Sequence, residues 1–377
     1  MKKTKWGLFI EKGRMVIGSV VVCLFICTLV LYFESPGTIQ PFLDENNEVI
    51  EESISEKIFI NINGVKQGMF IKGKSVKNPV LLFIHGGPGM PEYFLAEKYS
   101  KDLEEHFIVC YWEQRGVGLS YNTSVCNASI TLKQLLNDTI QVTNYIRQRF
   151  NQDKIYLMGH SWGSFLGIQV SASNPELYHA YIGIGQVVNM IESEKLAYQY
   201  MIDFYKENNN LSMVSKLEKF PVMESEKVVY SFFASSLRDE AMHKAGIGTM
   251  RNMKSVITGI FFPVMQCQGY TLSEKINIWR GKANLNKNSN LSSEMLAIDL
   301  TSKIPKINIP VYFISGGYDY TVNYSLSKKY YESLDAPIKG FYTFKNSAHS
   351  PLFEEPEKFI SIMTEDILNQ TSNYSDD

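Results

Sequence analysis

Cysteine is scarce in this chain, with five among 377 residues. Cys23 and Cys27 lie in an apolar run near the N-terminus, where they serve as apolar residues. The other three, Cys110, Cys126 and Cys267, are an odd number and too few for a disulfide-stapled domain. A bridge between Cys126 and Cys267 is conceivable, but three scattered cysteines are more often ordinary buried or free thiols.

A strong charge imbalance is also absent. The 37 basic and 39 acidic residues leave a formal net charge of -2 at pH 7, so the sequence gives no electrostatic reason to expect nucleic-acid binding. No internal repeat and no low-complexity block is visible. A composition of 45% hydrophobic and 20% charged residues is normal for a globular protein, so a sizeable core is available.

The one long apolar run lies near the N-terminus. Residues 15–33 contain no charged side chain and, as a helix, would cover about 28 Å, the thickness of a bilayer core. Residues 1–14 carry five basic residues and one acid, which predicts a cytoplasmic N-terminus with the rest of the chain outside. We interpret the run as an uncleaved anchor, because it exceeds a typical signal sequence and ends without a small-x-small site.

A linker and then an α/β domain are predicted after this run. Residues 34–56 are interpreted as the linker, because they combine Pro36, Gly37 and Pro41 with several acids and lack apolar periodicity. The domain opens at Lys57 with a predicted hairpin across Asn63-Gly64. Short strand-like runs then alternate with helix-like segments, which predicts a mostly parallel sheet covered by helices on both faces. The predicted strands are 79–84, 107–112, 155–158, 180–184, 310–315 and 340–344.

The alternation stops between residues 187 and 303. This stretch is helix-like and rich in tyrosine, phenylalanine and methionine, and we interpret it as an inserted helical cap. The predicted fold is therefore a doubly wound α/β sheet whose core comprises residues 57–186 and 304–370, with the cap at 187–303. Residues 371–377 are predicted to form a frayed tail.

One pentapeptide carries the strongest chemical signal. Gly159-His160-Ser161-Trp162-Gly163 follows a predicted strand and precedes a helix-like segment, 164–173. Strand, sharp turn and helix are the context of a G-x-S-x-G nucleophile elbow, in which the serine hydroxyl projects into a cleft. Glycines two residues before and after the serine avoid a collision where strand and helix crowd together. On the pentapeptide alone, an ordinary strand-helix turn with an incidental serine remains the alternative.

A serine hydroxyl is a poor nucleophile without a base and an orienting acid. Asp319 directly follows the strand 310–315, and His349 follows the strand 340–344. The carboxyl ends of strands in a doubly wound sheet converge on one edge, so Ser161, Asp319 and His349 can meet there. Their order along the chain is the order that elbow-type hydrolases use.

Other acids and histidines are possible partners of Ser161. Asp319 could instead cap the following helix. His160 neighbours the serine but is expected to point away from it, and only His349 lies in a loop beyond the acid. The alternatives are Asp299 and Asp335 for the acid, and His85, His106, His160, His179 and His243 for the base.

A glycine-rich turn follows the first central strand. His85-Gly86-Gly87-Pro88-Gly89 stands where an elbow hydrolase builds half of its oxyanion hole. We expect backbone N–H donors from Gly87 and from Trp162, the residue after the nucleophile. The alternative is a glycine-rich turn that binds no ligand.

These motifs together resemble the prolyl aminopeptidase (proline iminopeptidase) branch of the α/β-hydrolase superfamily. The matching segments are His85 to Gly89, Glu113 to Ser120 and Gly159 to Ser164, and the resemblance extends over residues 57–370. It implies Ser161 as nucleophile, His349 as base, Asp319 as orienting acid, Gly87 with Trp162 as the oxyanion hole, and support from His85, Gly86, Gly159, Gly163 and Arg115.

The chain departs from this branch in three respects. Glu113 replaces the aspartate of the family's D-Q-R-G motif. Strict prolyl aminopeptidases carry tryptophan and glutamate early in the cap, whereas this cap has Glu192 and Glu194 there and its only tryptophan at Trp279. The membrane anchor is an addition to the soluble enzymes of the branch.

The sequence thus predicts an anchored serine hydrolase that forms an acyl-enzyme at Ser161. Peptide N-termini are the first substrate hypothesis and small esters or amides the second. A non-catalytic binding protein on a hydrolase fold is the hypothesis from another class. The expected partners are a small-molecule or short-peptide substrate and the lipid bilayer, with no nucleic acid, metal or cofactor; the oligomeric state is left open.

Overall fold

A computed structural model describes residues 5–99, 102–126 and 130–376. The expectations for residues 1–4 and for Asp377 lie outside the described residues, as does the side chain of Cys126. The disulfide considered between Cys126 and Cys267 is not present at Cys267. Cys267 is a buried free thiol, and its Sγ donates to Glu97 Oε2 at 2.8 Å.

The core of the molecule is an eight-stranded sheet with the order β1-β2-β4-β3-β5-β6-β7-β8. Strand β2 is antiparallel to both β1 and β4, and all other neighbouring strands are parallel. The α/β fold with a mostly parallel sheet is therefore confirmed. The strands are β1 (Ile54–Ile62), β2 (Val65–Gly73), β3 (Val80–Ile84), β4 (Ile108–Trp112), β5 (Ile155–His160), β6 (Tyr178–Ile184), β7 (Val311–Gly316) and β8 (Lys339–Phe344).

The first two strands form the hairpin that Asn63-Gly64 predicts. Both turn residues have positive φ angles, 48° for Asn63 and 77° for Gly64. Asparagine and glycine tolerate this backbone region better than other residues do, and such a turn matches the twist of the flanking strands. The continuous apolar runs in β3, β4 and β5 are buried along their whole length, as expected of strands covered on both faces.

Helices cover both faces of the sheet. Val142 and Phe165 belong to the apolar core on one face, and Phe94 and Phe359 belong to the core on the other. The core helices are α2 (Tyr93–Tyr99), α3 (Leu103–His106), α4 (Thr123–Cys126), α5 (Leu132–Arg149), α6 (Trp162–Ser173), α15 (Tyr324–Ser333), α16 (Pro351–Glu354) and α17 (Pro356–Ile362). Helix α17 continues directly into a π-helical turn at Met363–Ile367.

The chain between β6 and β7 is helical. Residues 185–310 are all described, and they contribute no strand to the sheet. A π-helical turn at Ile257–Phe261 precedes α11. The helices of this region are α7 (Met190–Glu207), α8 (Leu211–Leu217), α9 (Glu226–Phe233), α10 (Ser236–Ala245), α11 (Phe262–Gln266), α12 (Leu272–Asn288), α13 (Leu291–Ala297) and α14 (Leu300–Lys303).

The N-terminal helix α1 (Lys5–Phe33) stands apart from the domain. Its segment Arg14–Phe33 is long and apolar enough to cross a membrane, and none of that segment is buried. The chain packs on the domain immediately after this helix. Ser35 is buried, and Lys275 Nζ donates to the Glu34 carbonyl at 3.0 Å and to Ser35 Oγ at 2.9 Å. The first residues of the segment interpreted as a linker are thus attached to α12.

Candidate active site

Ser161 occupies the sharp turn between β5 and α6. Its backbone has φ 54° and ψ -119°, a conformation that is costly for a residue with a side chain and is found mainly at functional sites. The turn is held by neighbours on both sides: Ser161 N–H donates to the Ile184 carbonyl at 2.9 Å, and Ser164 Oγ donates to the Ser161 carbonyl at 2.6 Å. The strain is thus maintained by the adjacent strand β6 and the first turn of α6.

The two glycines of the pentapeptide lie where backbones touch. A Cβ on Gly163 would be 1.9 Å from the Ile84 carbonyl oxygen, and one on Gly159 would be 2.3 Å from the Gly163 oxygen. Neither contact can relax by rotating a side chain, because the opposing atoms are backbone. Glycine is therefore required at both positions for α6 to start directly above β3 and β5.

Asp319 and His349 meet beside Ser161. His349 Nδ1 lies 2.8 Å from Asp319 Oδ2, and both residues are buried. Asp319 Oδ1 accepts the Val322 N–H at 2.9 Å, which fixes the carboxylate. His349 Nε2 is buried and has no hydrogen-bond partner among the described residues. This nitrogen is therefore available to a group in the cavity that Ser161 and His349 line together.

The loop that carries His349 is anchored from two directions. Glu354 Oε1 accepts the Ala348 N–H at 2.9 Å, and Glu355 Oε1 accepts the Ser347 hydroxyl at 2.7 Å. From the helical region, the Gly248 carbonyl accepts the His349 N–H at 3.3 Å. Burial raises the pKa of Glu354 to about 7. The position of the histidine thus depends on both the core and the region above it.

Sequence reasoning missed Glu92 and assigned no role to His160. His160 lines the cavity, with Nδ1 2.8 Å from Glu92 Oε1 and Nε2 2.9 Å from the His349 carbonyl oxygen. Burial alone would lower the pKa of His160, but the Glu92 carboxylate outweighs it and the pKa is raised. Both partners of the ring are acceptors, so His160 donates from both nitrogens when it is protonated and then links Glu92 to the backbone of His349. No local motif marks Glu92, which comes three residues after the glycine-rich turn.

The glycine-rich turn lies next to the serine. A Cβ on Gly86 would be 3.3 Å from the Ser161 Cβ, and Gly87 has φ 126° and lines the cavity. Burial lowers the pKa of His85 to about 4, so its ring is neutral. Its Nε2 accepts the Gln114 N–H at 3.1 Å, and its Nδ1–H donates to the Gly86 carbonyl at 2.8 Å. His85 therefore orders the turn and does not face the substrate cavity.

Trp162 begins α6 directly after Ser161. The first amides of a helix have no intrahelical acceptor, so the Trp162 N–H is free to donate to another group. The indole is buried, and its Nε1–H donates to Gln114 Oε1 at 3.0 Å. Gln114 thereby ties the start of α6 to His85.

The cavity above Ser161 has a volume of about 310 Å³. Trp279, the tryptophan predicted within the cap, lines it. Glu194 does not, because the buried Arg238 guanidinium binds it from two nitrogens, with Nε 2.7 Å from Glu194 Oε2. The ionisable lining groups are Glu92, His160, Arg238, Asp239, His243, Lys282 and His349, and the apolar ones are Met90, Leu95, Met242, Val256, Ile260 and Trp279.

The alternative acids have other roles in the structure. Asp299 caps α14 by accepting the Thr301 N–H at 2.9 Å, and Asp335 pairs with Lys306 at an exposed site. Among the described residues, no group of three histidine, cysteine, aspartate or glutamate side chains is arranged to hold a metal ion.

Arg115 lies away from the cavity. It is buried and binds Asp138 of α5 from two nitrogens, with its Nε 2.6 Å from Asp138 Oδ2 and its Nη2 2.8 Å from Asp138 Oδ1. Asp138 also accepts hydrogen bonds from Asn63 and Gln67. Arg115 therefore joins the loop after β4 to the first hairpin and to α5.

The comparisons with known proteins indicate the family and the fold. A family model described as alpha/beta hydrolase fold matches residues 79–356. The Probable aminopeptidase YbaC of Bacillus subtilis (strain 168) is 35% identical over 319 residues, which cover 83% of this chain and 96% of that protein. A Proline iminopeptidase of Heyndrickxia coagulans is 24% identical, over 82% of this chain and 98% of the relative. The crystal structure of VinJ shares the fold, with a TM-score of 0.59 and 17% identity over 83% of this chain and 98% of that one.

Glu113, which replaces the aspartate of the D-Q-R-G motif, should make the free energy of unfolding depend on pH. It is buried, accepts the Leu119 N–H at 2.5 Å and binds the Tyr270 hydroxyl of the helical region. Burial raises its pKa from 4.5 to about 8. Between these pH values the folded chain binds more protons than the unfolded chain, so the contribution of Glu113 to the free energy of unfolding decreases as pH rises.

The Glu113→Gln variant should therefore gain stability relative to the unaltered chain as the pH is raised from 5 to about 9. Gln retains an acceptor for Leu119 and a polar partner for Tyr270 but cannot ionise. Urea unfolding of both proteins across this range measures the difference, with Glu332→Gln on the exposed face of α15 as the control. A difference that is independent of pH would show that Glu113 does not titrate in this window.

Proposed function

The chain belongs to the α/β-hydrolase fold family, and we propose that it is a serine hydrolase acting through Ser161, His349 and Asp319. The observation that carries the proposal is the convergence of a strained serine, the Asp319–His349 pair and the glycine-rich turn on one cavity. A binding protein on this fold would have no physical need for the strain at Ser161 or for a buried histidine nitrogen without a partner.

In the proposed first half-reaction, Ser161 Oγ attacks the carbonyl carbon of the substrate while its proton passes to His349 Nε2. Asp319 stabilises the imidazolium through Nδ1–H. The carbonyl electron pair moves onto oxygen, where the N–H groups of Gly87 and Trp162 are the donors we propose for the oxyanion. When the tetrahedral intermediate collapses, the leaving amine or alcohol takes the proton from His349, and an acyl-enzyme remains at Ser161.

The second half-reaction repeats these steps with water. His349 Nε2 removes a proton from water, the resulting hydroxide attacks the acyl carbon, and Ser161 Oγ leaves with that proton. The free acid and the unaltered serine are the products. The Asp319 carboxylate, 2.8 Å from His349 Nδ1, favours the positive charge that His349 carries in both transition states.

We propose that the acyl donor is the N-terminal residue of a peptide, so that the enzyme is an aminopeptidase of proline iminopeptidase type. Its similarity to the Probable aminopeptidase YbaC and to a Proline iminopeptidase supports this assignment. Glu92 supports it physically, because its Oε2 is buried without a hydrogen-bond partner among the described residues. A Cβ on Gly86 would lie 2.9 Å from Glu92 Oε1 and 3.3 Å from the Ser161 Cβ. The carboxylate is thus beside the nucleophile, where a substrate α-ammonium would lie.

Small esters or amides are the second candidate substrates. The cavity has an apolar side formed by Met90, Met242, Val256, Ile260 and Trp279. Glu194, one of the two acids early in the cap, is held by Arg238. An acyl group without an ammonium would therefore find complementary surface in this cavity.

We further propose that α1 anchors the protein in a membrane, with the N-terminus in the cytoplasm and the hydrolase domain on the other side. The support is the apolar segment Arg14–Phe33, none of which is buried in the domain, and the excess of basic residues before it.

His349→Ala tests the proposed base. Removing the proton acceptor for Ser161 should lower kcat on alanine p-nitroanilide by roughly 10³-fold or more. The matched control is His179→Ala, which replaces a half-buried histidine whose ring lies 5.2 Å from the Tyr156 ring; this variant should retain nearly full activity. Circular dichroism verifies that both variants are folded. Near-normal turnover by His349→Ala would assign the base to another residue.

Glu92→Gln tests the substrate class. Alanyl and propionyl p-nitroanilides differ only in the α-ammonium, so the ratio of their kcat/KM values isolates recognition of that charge from any effect on His160. The hydrogen bond to an ammonium is worth about 1.5–3 kcal/mol, so the ratio should fall roughly tenfold or more. Asp239→Asn, an exposed acid of the same cavity, should change it less. An unaltered ratio in Glu92→Gln would favour esters or simple amides.

A further inference from the structure

An apolar surface lies on the helical region close to the end of α1. Val256, Ile257, Phe261 and Phe262 have side chains that are 37% to 61% exposed, and Ile276 of α12 is 39% exposed. We name these five residues the apolar surface. They are unusual because the outward face of a surface helix is normally polar.

The segment that carries four of these residues contains no charge. It comprises Val256 and the apolar helical stretch Ile257–Gln266, and its inner side buries Ile260 and Val264. Apart from the exposed Thr258 and Gln266, the segment is therefore hydrophobic on both its inner and its outer sides. A helix of this type is stable when it is buried on all sides or when it contacts lipid.

The apolar surface is attached to the point where α1 ends. Lys275 Nζ donates to the Glu34 carbonyl and, at 2.7 Å, to the Met265 carbonyl in α11. Met265 is three residues after Phe262, which is one helical turn. One ammonium group thus holds the first residue beyond α1 next to the helix that carries Phe262.

A second contact connects the apolar surface to the same part of α12. The Phe261 ring packs on Trp279, with 5.8 Å between ring centroids. Trp279 lies one helical turn beyond Lys275 and Ile276. The chain leaving α1 continues along this edge, because the Thr38 N–H donates to the Gln268 carbonyl at 3.1 Å.

We infer that the apolar surface is a membrane-docking surface, inserted into the headgroup region of the same bilayer that α1 crosses. The inference rests on the proposed anchoring role of α1. If Phe33 lies at the end of the membrane span, groups held within about one helical turn of Glu34 must lie at the bilayer surface, where exposed apolar side chains are stabilised by burial. The exposed Lys254, two residues before Val256, is placed to meet lipid phosphates.

Docking in this way would orient the active site. The cavity lining includes three residues from the elements that carry the apolar surface. Val256 and Ile260 belong to the segment 256–266, and Trp279 belongs to α12. One rim of the cavity above Ser161 would therefore face the lipid headgroups. A substrate that partitions into the membrane, or a peptide held at its surface, would reach the cavity along this rim.

The experiment uses the full-length chain in vesicles of phosphatidylcholine and phosphatidylglycerol. A Phe262→Cys variant carries an environment-sensitive nitrobenzoxadiazole label, after Cys23, Cys27 and Cys126 have been replaced by serine. Nitroxide groups near the headgroup end of the lipid chains serve as quenchers. Leu211→Cys is the matched control, because Leu211 is an apolar residue 68% exposed in α8 and is not part of the apolar surface.

The label at residue 262 should be quenched several-fold more strongly than the label at residue 211. Equal quenching at both sites, or none at residue 262 in protein that floats with the vesicles, would contradict the docking surface while leaving the anchor intact. Protein that does not float with the vesicles would contradict the anchor and the surface together. If two Phe262→Cys chains cross-link to each other and the label is not quenched by lipid, the apolar surface contacts a second copy of the chain. That result would overturn the inference.

Discussion

The contact between α6 and the central strands is the constraint on which the active site depends. With glycine at position 163, the backbone of α6 can approach β3 so closely that any Cβ would be 1.9 Å from the Ile84 carbonyl oxygen. This approach forces the turn at Ser161 into its positive φ conformation. The same strand, β3, continues into the glycine-rich turn, so the nucleophile and the proposed oxyanion donors are positioned by one backbone contact. Asp319 and His349 then come from the adjacent strand ends of β7 and β8.

The helical region covers the loops that carry Asp319 and His349, and it also makes direct contacts with them. Glu354 accepts N–H groups from both Ala348 and Arg251, and the Arg251 guanidinium lies over the Tyr318 ring, next to Asp319. Tyr270 of the helical region also binds Glu113 in the loop after β4. A movement of the helical region that admits substrate would therefore have to preserve these contacts or alter the position of His349. We expect substrate to enter at the rim near Val256, which lines the cavity, rather than by displacement of the whole region.

The sequence predicted those parts of the site that follow from local rules. Ser161 is marked by its pentapeptide, and Asp319 and His349 by their positions after successive strands, so the sheet topology alone brings them to one edge. Glu92 and His160 could not be assigned in this way, because their roles arise from contacts between segments 68 residues apart. The fold class followed from the alternation of buried strands and helices.

The contacts near the anchor and within the cap could not be predicted from the sequence, because they join residues far apart in the chain. The acid-rich composition of residues 34–56 indicates a linker, and nothing local shows that Lys275, 240 residues further on, binds Ser35. From the sequence, Glu194 could similarly bind the ammonium group of a substrate. In the structure, however, the Arg238 guanidinium binds its carboxylate. A charged residue in a cap helix has a role that only its packing partners define, which is why substrate class is harder to predict than the reacting serine.

Reaction with a fluorophosphonate tests the central claim most directly, because the reagent phosphonylates a serine only where a base and an oxyanion site activate it. The folded full-length chain should acquire one phosphonyl group, which mass spectrometry of the digested protein should locate on Ser161. A folded chain that does not react, or that reacts at another residue while Ser161 remains unmodified, would contradict the assignment of this protein as a serine hydrolase.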